Sequence, residues 1–493
     1  MHRFVAVAGA GHPVTRVTFR VPRAGAMCAL AVVGLAACTP MLPPTETAER
    51  TTAVLGAVTA PSAPTLVVEP LVRAPATPAA TRLPAANPGE VGMSAKRLAA
   101  LDRVIKRGIT EGGYPGAALV VGRRGRAVWE RGYGTLSWAD DRVVSPDSTR
   151  YDLASLTKVI GTTSAVMALV DDGRLSLDAQ VRAYLPEFAG GKKDAVKVRH
   201  LLEHRSGLAA GATLWRHGSP GEARRHALAA PLRSAPGREV VYSDLGMIVL
   251  GAVVEAAAGE PMDAYLERRV FRPLGMRQTS FRPVLDLPSP IARLAPTGAG
   301  ATSSGRVHDG NAAALGGVAG HAGLFSTAAD LATYAQTLLA GGVGPNGVRV
   351  FADSTVRAFL QRGTGKTRRA LGWETCGTDR DDVCGRLLDE RAVMHTGFTG
   401  TFLVIDPARR AFAVLLTNRV HAPRVPRPAR VIRDVRADVA DALALAVTDT
   451  PDGPLPMPVA FRADLNADEW RSQLRPTRTV AAATSRPSRP ARR

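Results

Sequence analysis

The chain has 493 residues, of which 45% are hydrophobic and 22% charged, enough for one large or two to three ordinary domains with ample core. Its formal charge of +20 raises the question of nucleic acid. The arginines are scattered, however, and aromatic residues make up only 5%, so no stacking platform alternates with basic residues and a nucleic-acid partner is not expected.

The N-terminal part reads as an export signal. Arg3, Arg16, Arg20 and Arg23 precede an apolar run from Ala24 to Ala37, too short to span a bilayer and suited to a signal-peptide core over residues 1–37. Leu35-Ala-Ala-Cys38 is similar to a bacterial lipobox, which implies lipidation of Cys38 and a membrane-anchored protein on the cell envelope. Residues 38–87 are rich in Pro, Ala and Thr, the composition of a semi-rigid or disordered tether.

The folded domain is expected over 88–446. Ser94 caps a predicted helix to about Ile109, striped by Leu98, Leu101, Val104 and Ile105. Gly116–Gly122 and Ala127–Tyr133 read as strands around the Arg123-Arg-Gly-Arg126 turn. Helical periodicity follows near 198–204, 245–257, 261–270, 328–340 and 353–361; strands return only at Thr401–Ile405 and Ala411–Thr417, before a helix over 429–446. Strands at both ends of a helical middle predict an α/β (α+β) fold: a sheet flanked by helices, with an all-helical subdomain inserted at about 190–360. Residues 447–493 fade into Pro/Arg-rich sequence and are expected to form a solvated tail. Of the four cysteines, Cys28 lies in the signal. Cys376 and Cys384, eight residues apart, are candidates for a small disulfide loop in an oxidising compartment and are too few for a metal site.

Chemistry enters at Tyr151-Asp-Leu-Ala-Ser-Leu-Thr-Lys158. Ser155 and Lys158 share one face of a helix, since positions i and i+3 are neighbours there. A serine needs a base to become nucleophilic, and a lysine can serve only if burial or a neighbouring cation lowers its pKa. The chain has only seven lysines among its 63 basic residues, and arginine cannot play this part. Two further stretches complete a set: Tyr242-Ser243-Asp244, before the apolar helix from Leu245, and His395-Thr396-Gly397, before the first returning strand.

In that order these stretches resemble the motifs of the serine β-lactamase and penicillin-binding-protein superfamily, in its class C β-lactamase, DD-peptidase and esterase branch. Leu201-Leu-Glu-His-Arg-Ser-Gly-Leu208, Arg272-Pro-Leu-Gly-Met276 and Gly316–Thr327 reinforce the resemblance, which covers about 88–446. It implies a β-lactamase-like fold with an antiparallel sheet, a cofactor-free serine hydrolase, and a covalent acyl-enzyme. Ser155 would be the nucleophile, Lys158 its proton acceptor, and Tyr242 the relay to the leaving group. The backbone N–H groups of Ser155 and Phe398 would form the oxyanion hole. Asp244, His395, Thr396 and Gly397 would bind substrate, either a small molecule or a peptidoglycan fragment. Asp244 stands where the family has Asn, and His395 where typical β-lactamases have Lys. That moves the expectation from β-lactams towards peptidase, amidase or esterase substrates. His308 and His321 fall near the cleft or serve structure. His200-Leu-Leu-Glu-His204 spells a zinc pattern, but Arg205-Ser-Gly207 ends its helix at once. Gly363-Thr-Gly-Lys-Thr367 lacks the first glycine of a P-loop.

Overall fold

In a computed structural model the described residues are 82–285, 293–299, 303–363, 369–377 and 383–472. The expected signal, Cys28, Cys38 and nearly all of the tether lie outside them, as does most of Gly363–Thr367.

Nine strands form two sheets: β1 (Gly116–Arg123), β2 (Arg126–Gly134), β3 (Tyr151–Asp152), β4 (Ser280–Phe281), β5 (Leu324–Ser326), β6 (Glu374–Thr375), β7 (Val393–Thr396), β8 (Phe402–Asp406) and β9 (Ala411–Thr417). The main sheet runs β2-β1-β9-β8-β7-β6, antiparallel throughout. Residues from both ends of the folded region meet in it, with Ala117 opposite Thr417 and Val121 opposite Ala413. The inner strands β1, β8 and β9 are mostly apolar without alternation because both faces are covered.

Side chains alternate between two cores, as period two requires. Ala118, Val120, Leu403, Ile405, Phe412 and Val414 face the helical insertion. Ala117, Leu119, Val121, Val404, Ala413 and Leu415 face the Ala100–Thr110 and Pro428–Ala446 helices.

Two expectations are corrected. The insertion is not all-helical, since β3, β5 and β4 make a second, three-stranded sheet. Their two- and three-residue lengths give periodicity nothing to detect. Nor does the fold stop at 446. Helices Arg462–Leu465 and Ala467–Arg471 pack back on the Pro428–Ala446 helix; Trp470 is fully buried and its Nε1 donates to Asp434 Oδ2 at 2.8 Å. One large aromatic with a buried carboxylate partner outweighs the Pro-rich composition around it. At the other end Leu83 is already buried, before the expected start at 88.

Candidate active site

Residues 151–171 rise from β3 through a 3-10 turn (Ala154–Leu156), a π-helical stretch (Lys158–Thr163) and the α-helix Ser164–Asp171. Ala154 has φ +47°, a left-handed backbone that costs a non-glycine residue about 1–2 kcal/mol. The neighbourhood holds it there: its N–H donates to Asp152 Oδ1 at 2.8 Å, and Asp152 Oδ2 accepts from His308 N–H at 2.7 Å. This sharp turn presents Ser155, half-buried, above the completely buried Lys158. Lys158 Nζ donates to Ser155 Oγ at 2.8 Å and to the carbonyl of His321 at 3.0 Å. π-Helical turns of this kind recur at functional sites.

The Asp244–Ala258 helix supplies the second corner. Ser243 caps it, its Oγ accepting from Gly246 N–H at 2.9 Å, which fixes the entry of Tyr242 and Asp244 into the site. Glycines let this helix lie against the 316–323 loop backbone to backbone: a Cβ at Gly251 would sit 3.1 Å from Gly320 Cα. The Tyr242 ring centroid lies 5.0 Å from Lys158 Nζ, and Asp244 Oδ1 pairs with the same ammonium at 2.8 Å. The third corner is β7 and its turn. The His395 ring is 6.1 Å from the Tyr242 ring, centroid to centroid. Gly397 and Phe398 follow, the Phe398 ring 61% exposed between the His308 ring and the Arg419 guanidinium.

Electrostatics change the roles expected of two residues. Burial alone would lower the pKa of Lys158, but Tyr242 and the Asp244 carboxylate outweigh it and hold the pKa above the ordinary lysine value. The expectation that burial or a neighbouring cation frees this amine of its proton is not met, because Tyr242 and Asp244 act in the opposite sense. Burial, with the Lys158 charge nearby, pushes His395 down to about 3, so it is neutral at physiological pH. Its Nδ1 lies 2.9 Å from the Thr396 carbonyl, which requires the Nδ1–H tautomer. His395 therefore cannot meet a carboxylate as a cation.

The 397–401 turn is fastened to the residues just before the nucleophile. Thr399 Oγ1 donates to the Asp152 carbonyl at 2.6 Å and Thr401 Oγ1 to the Leu153 carbonyl at 2.9 Å. Among the described residues, Phe398 N–H donates to no backbone carbonyl.

Several contributors lie outside the three motifs. His204, set aside as half of a zinc pattern, packs its ring 4.7 Å from Tyr242, and its Nδ1 accepts from Ser243 N–H at 3.0 Å. Burial holds it well below the usual histidine pKa. Arg369 places its guanidinium 5.5 Å from the Tyr242 ring and pairs with Glu374 at 3.1 Å. His321 lends its carbonyl to Lys158 while Nε2 meets Asp309 at 2.8 Å. Only the density of short motifs around 204 and 308–321 pointed to these regions. Cys376 and Cys384 are joined in a disulfide, Cα atoms 5.5 Å apart, directly after β6. No cluster of three metal-ligating side chains occurs among the described residues.

This arrangement supports acyl transfer: a hydroxyl hydrogen-bonded to an amine, a phenol beside that amine, and a turn N–H nearby. The β-lactamase family profile matches residues 101–437. A protein of Escherichia coli (strain K12) named "Putative D-alanyl-D-alanine carboxypeptidase" is 32% identical over 374 residues, covering 68% of this chain and 86% of that protein. A Salmonella agona (strain SL483) protein of the same name is 31% identical over 377 residues, 69% and 87% of the two chains. Among solved structures, EstCE1, "a hydrolase with promiscuous acyltransferase activity", superposes with TM-score 0.56 at 23% identity, covering 69% of this chain and 99% of that one. A penicillin-binding protein homologue from Caulobacter crescentus gives 0.55 at 22% identity, with 71% and 99% covered.

Proposed function

We propose that this chain, which belongs to the serine β-lactamase and penicillin-binding-protein-like superfamily, cleaves amide or ester bonds of peptidoglycan-derived peptides or carboxylic esters through an acyl-enzyme on Ser155. It is a serine hydrolase of the peptidase or esterase kind. The observation that carries the mechanism is the 2.8 Å contact between Lys158 Nζ and Ser155 Oγ at the foot of a strained turn. Ser155 attacks the carbonyl carbon, its proton passing to Lys158 once that amine is unprotonated; Tyr242, beside Lys158, delivers a proton to the leaving group. The N–H groups of Ser155 and Phe398 receive the negative charge on the carbonyl oxygen. Thr396 and Gly397 orient substrate along β7, with His395 as a neutral wall.

β-Lactam hydrolysis is disfavoured by one contact. Asp244 is engaged with Lys158, and a carboxylate cannot donate the hydrogen bond that an asparagine amide offers to substrate. The apolar run to Ala37, the Cys38 motif and the Pro-rich stretch after it support export and a lipid anchor on the envelope.

One experiment tests chemistry and location together. Cells making the full chain are treated with a membrane-impermeant fluorescent fluorophosphonate after opening of any outer membrane, then fractionated. Ser155 should carry the label in the membrane fraction. Ser155→Ala should abolish it, Lys158→Arg should lower turnover on p-nitrophenyl esters and D-Ala-D-Ala peptides by at least about 100-fold, and Cys38→Ser should release labelled protein from the membrane. Label persisting in Ser155→Ala ends the enzymatic reading; wild-type protein that takes the label only after lysis and fractionates with the cytosol ends the envelope reading.

A further inference from the structure

The Gly397–Phe398 peptide has two faces, and the side chain behind it has no part in the chemistry above. Arg436 lies on the Pro428–Ala446 helix, buried. Its Nη2 donates to the Gly397 carbonyl at 2.6 Å and to the Thr401 carbonyl at 2.8 Å. Thr401 O also accepts from Gly397 N–H at 2.8 Å, so one guanidinium closes the turn across its base. The Gly397 carbonyl belongs to the same peptide unit as Phe398 N–H. In a trans peptide the two point to opposite sides of the chain, and there are no cis bonds among the described residues. Anchoring the carbonyl on Arg436 therefore aims Phe398 N–H away from the helix, on the side opposite the guanidinium.

The charge itself is conspicuous. Among the described residues no carboxylate lies within ion-pairing distance of Arg436. Burial, with Arg419 nearby, lowers its pKa to about 9, which still leaves it protonated at neutral pH. A buried cation whose hydrogen-bond partners are neutral carbonyls, with a second cation near it, is costly relative to water, and an apolar side chain would fill the space without that cost. A hydrogen bond from a cation to a carbonyl strengthens the donor at the other end of the same peptide, because successive dipoles polarise one another.

We propose that Arg436 is a positioning residue for the oxyanion hole: it orients and polarises the Gly397–Phe398 peptide from behind, and the negative charge that develops on the substrate oxygen is the counter-charge this cation otherwise lacks. The proposal rests on the assignment of Phe398 N–H to that hole.

The test uses the full chain as wild type, Arg436→Gln and Arg436→Lys, with thermal midpoints measured for each. Acylation by p-nitrophenyl acetate is followed in the pre-steady state, 3-aminophenylboronic acid serves as a tetrahedral probe, and the acyl-enzyme carbonyl stretch is read by infrared difference spectroscopy. Arg436→Gln should lose roughly 10- to 100-fold in acylation kcat/KM and in boronate affinity together, with KM moving less than about threefold. The carbonyl band should move to higher wavenumber, and Arg436→Lys should recover part of both losses. A lower thermal midpoint with boronate affinity and carbonyl band unchanged makes Arg436 a structural residue only and overturns the proposal. Should the Gln variant not fold, Arg436→Lys decides alone: a band and affinity identical to wild type overturn it, and intermediate values support it. Absence of acylation in the wild type removes the hydrolase reading and the proposal together, whereas normal wild-type acylation with indifferent Arg436 variants removes the proposal alone.

Discussion

At the scale of single residues, Asp244 bears directly on the proton acceptor through its contact with Lys158. Asparagine at that position would leave only Tyr242 to oppose the burial that lowers the Lys158 pKa; aspartate adds a full negative charge 2.8 Å away and raises it further. If the unprotonated amine takes the Ser155 proton, the acid limb of the kcat/KM profile marks the pH at which Lys158 loses its own. The sign follows directly: removing the carboxylate lowers the lysine pKa, so Asp244→Asn should move that limb to lower pH and raise activity at neutral pH. An exposed carboxylate would produce a fraction of a pH unit, whereas this pair, with the lysine fully buried, should produce a displacement of about one unit or more. Initial rates on a p-nitrophenyl ester between pH 6 and 10 measure it, and a limb that stays in place or moves to higher pH excludes Lys158 as the acceptor. Asp244 was legible in the sequence as an anomaly, but its consequence was not. A motif records which residue occurs, and the sign of a pKa shift depends on which atoms it faces.

At the scale of elements, the nucleophile turn and the 397–401 turn behave as one piece. Their contacts run from Thr399 and Thr401 to the carbonyls of residues 152 and 153, and Gly397 lies so close to the Leu153 carbonyl that no side chain fits. A Cβ at Gly397 would collide with that carbonyl and with Thr401 Oγ1, and backbone cannot move aside as a flexible side chain can. Gly397→Ala should therefore push β7 off the nucleophile turn, destabilising the fold by about 1–3 kcal/mol and lowering kcat/KM by at least about 100-fold, since ångström displacements at a reacting centre are that costly. Urea denaturation and steady-state kinetics check the two numbers. A variant with near-wild-type kinetics would show that the turns are not coupled. The long strands and the Pro428–Ala446 helix were legible because their period extends over several repeats. The strands β3 to β7 are two to four residues long and are fixed by tertiary pairing, so periodicity could not reveal them. The site's corners were visible only because they fall in short motifs at the ends of such elements, which a helix or strand pattern would never single out.

At the scale of the whole molecule, two cores on either side of one sheet leave phenols deep inside. Tyr114, Tyr151, Tyr265 and Tyr334 are fully buried and Tyr133 is nearly so, and burial raises the pKa of each above the ordinary tyrosine value. A phenol whose folded pKa is raised contributes stability that is intact below the unfolded pKa of about 10 and is lost as pH climbs towards the folded value. Lys158, whose pKa is also raised, loses stabilisation with alkali in the same sense. The phenols and this lysine set the slope together. Each contributes at most about 1.4 kcal/mol per pH unit, and together they make stability fall as pH climbs above 10. Thermal midpoints should consequently be level between pH 8 and 9.5 and fall steeply between 10 and 11. Tyr151 singles itself out within the set. Its hydroxyl has no hydrogen-bond partner among the described residues, whereas Tyr114 donates to the Ile105 carbonyl and Tyr334 meets Ser164. Tyr151→Phe should then cost no stability at pH 8, because no hydrogen bond is lost and an unsatisfied buried hydroxyl is removed. It should also flatten the alkaline slope by one phenol's share, at most about 1.4 kcal/mol per pH unit. A slope as steep as wild type in that variant would mean the phenol ionises as readily folded as unfolded, which the dry interior beneath the nucleophile turn does not allow.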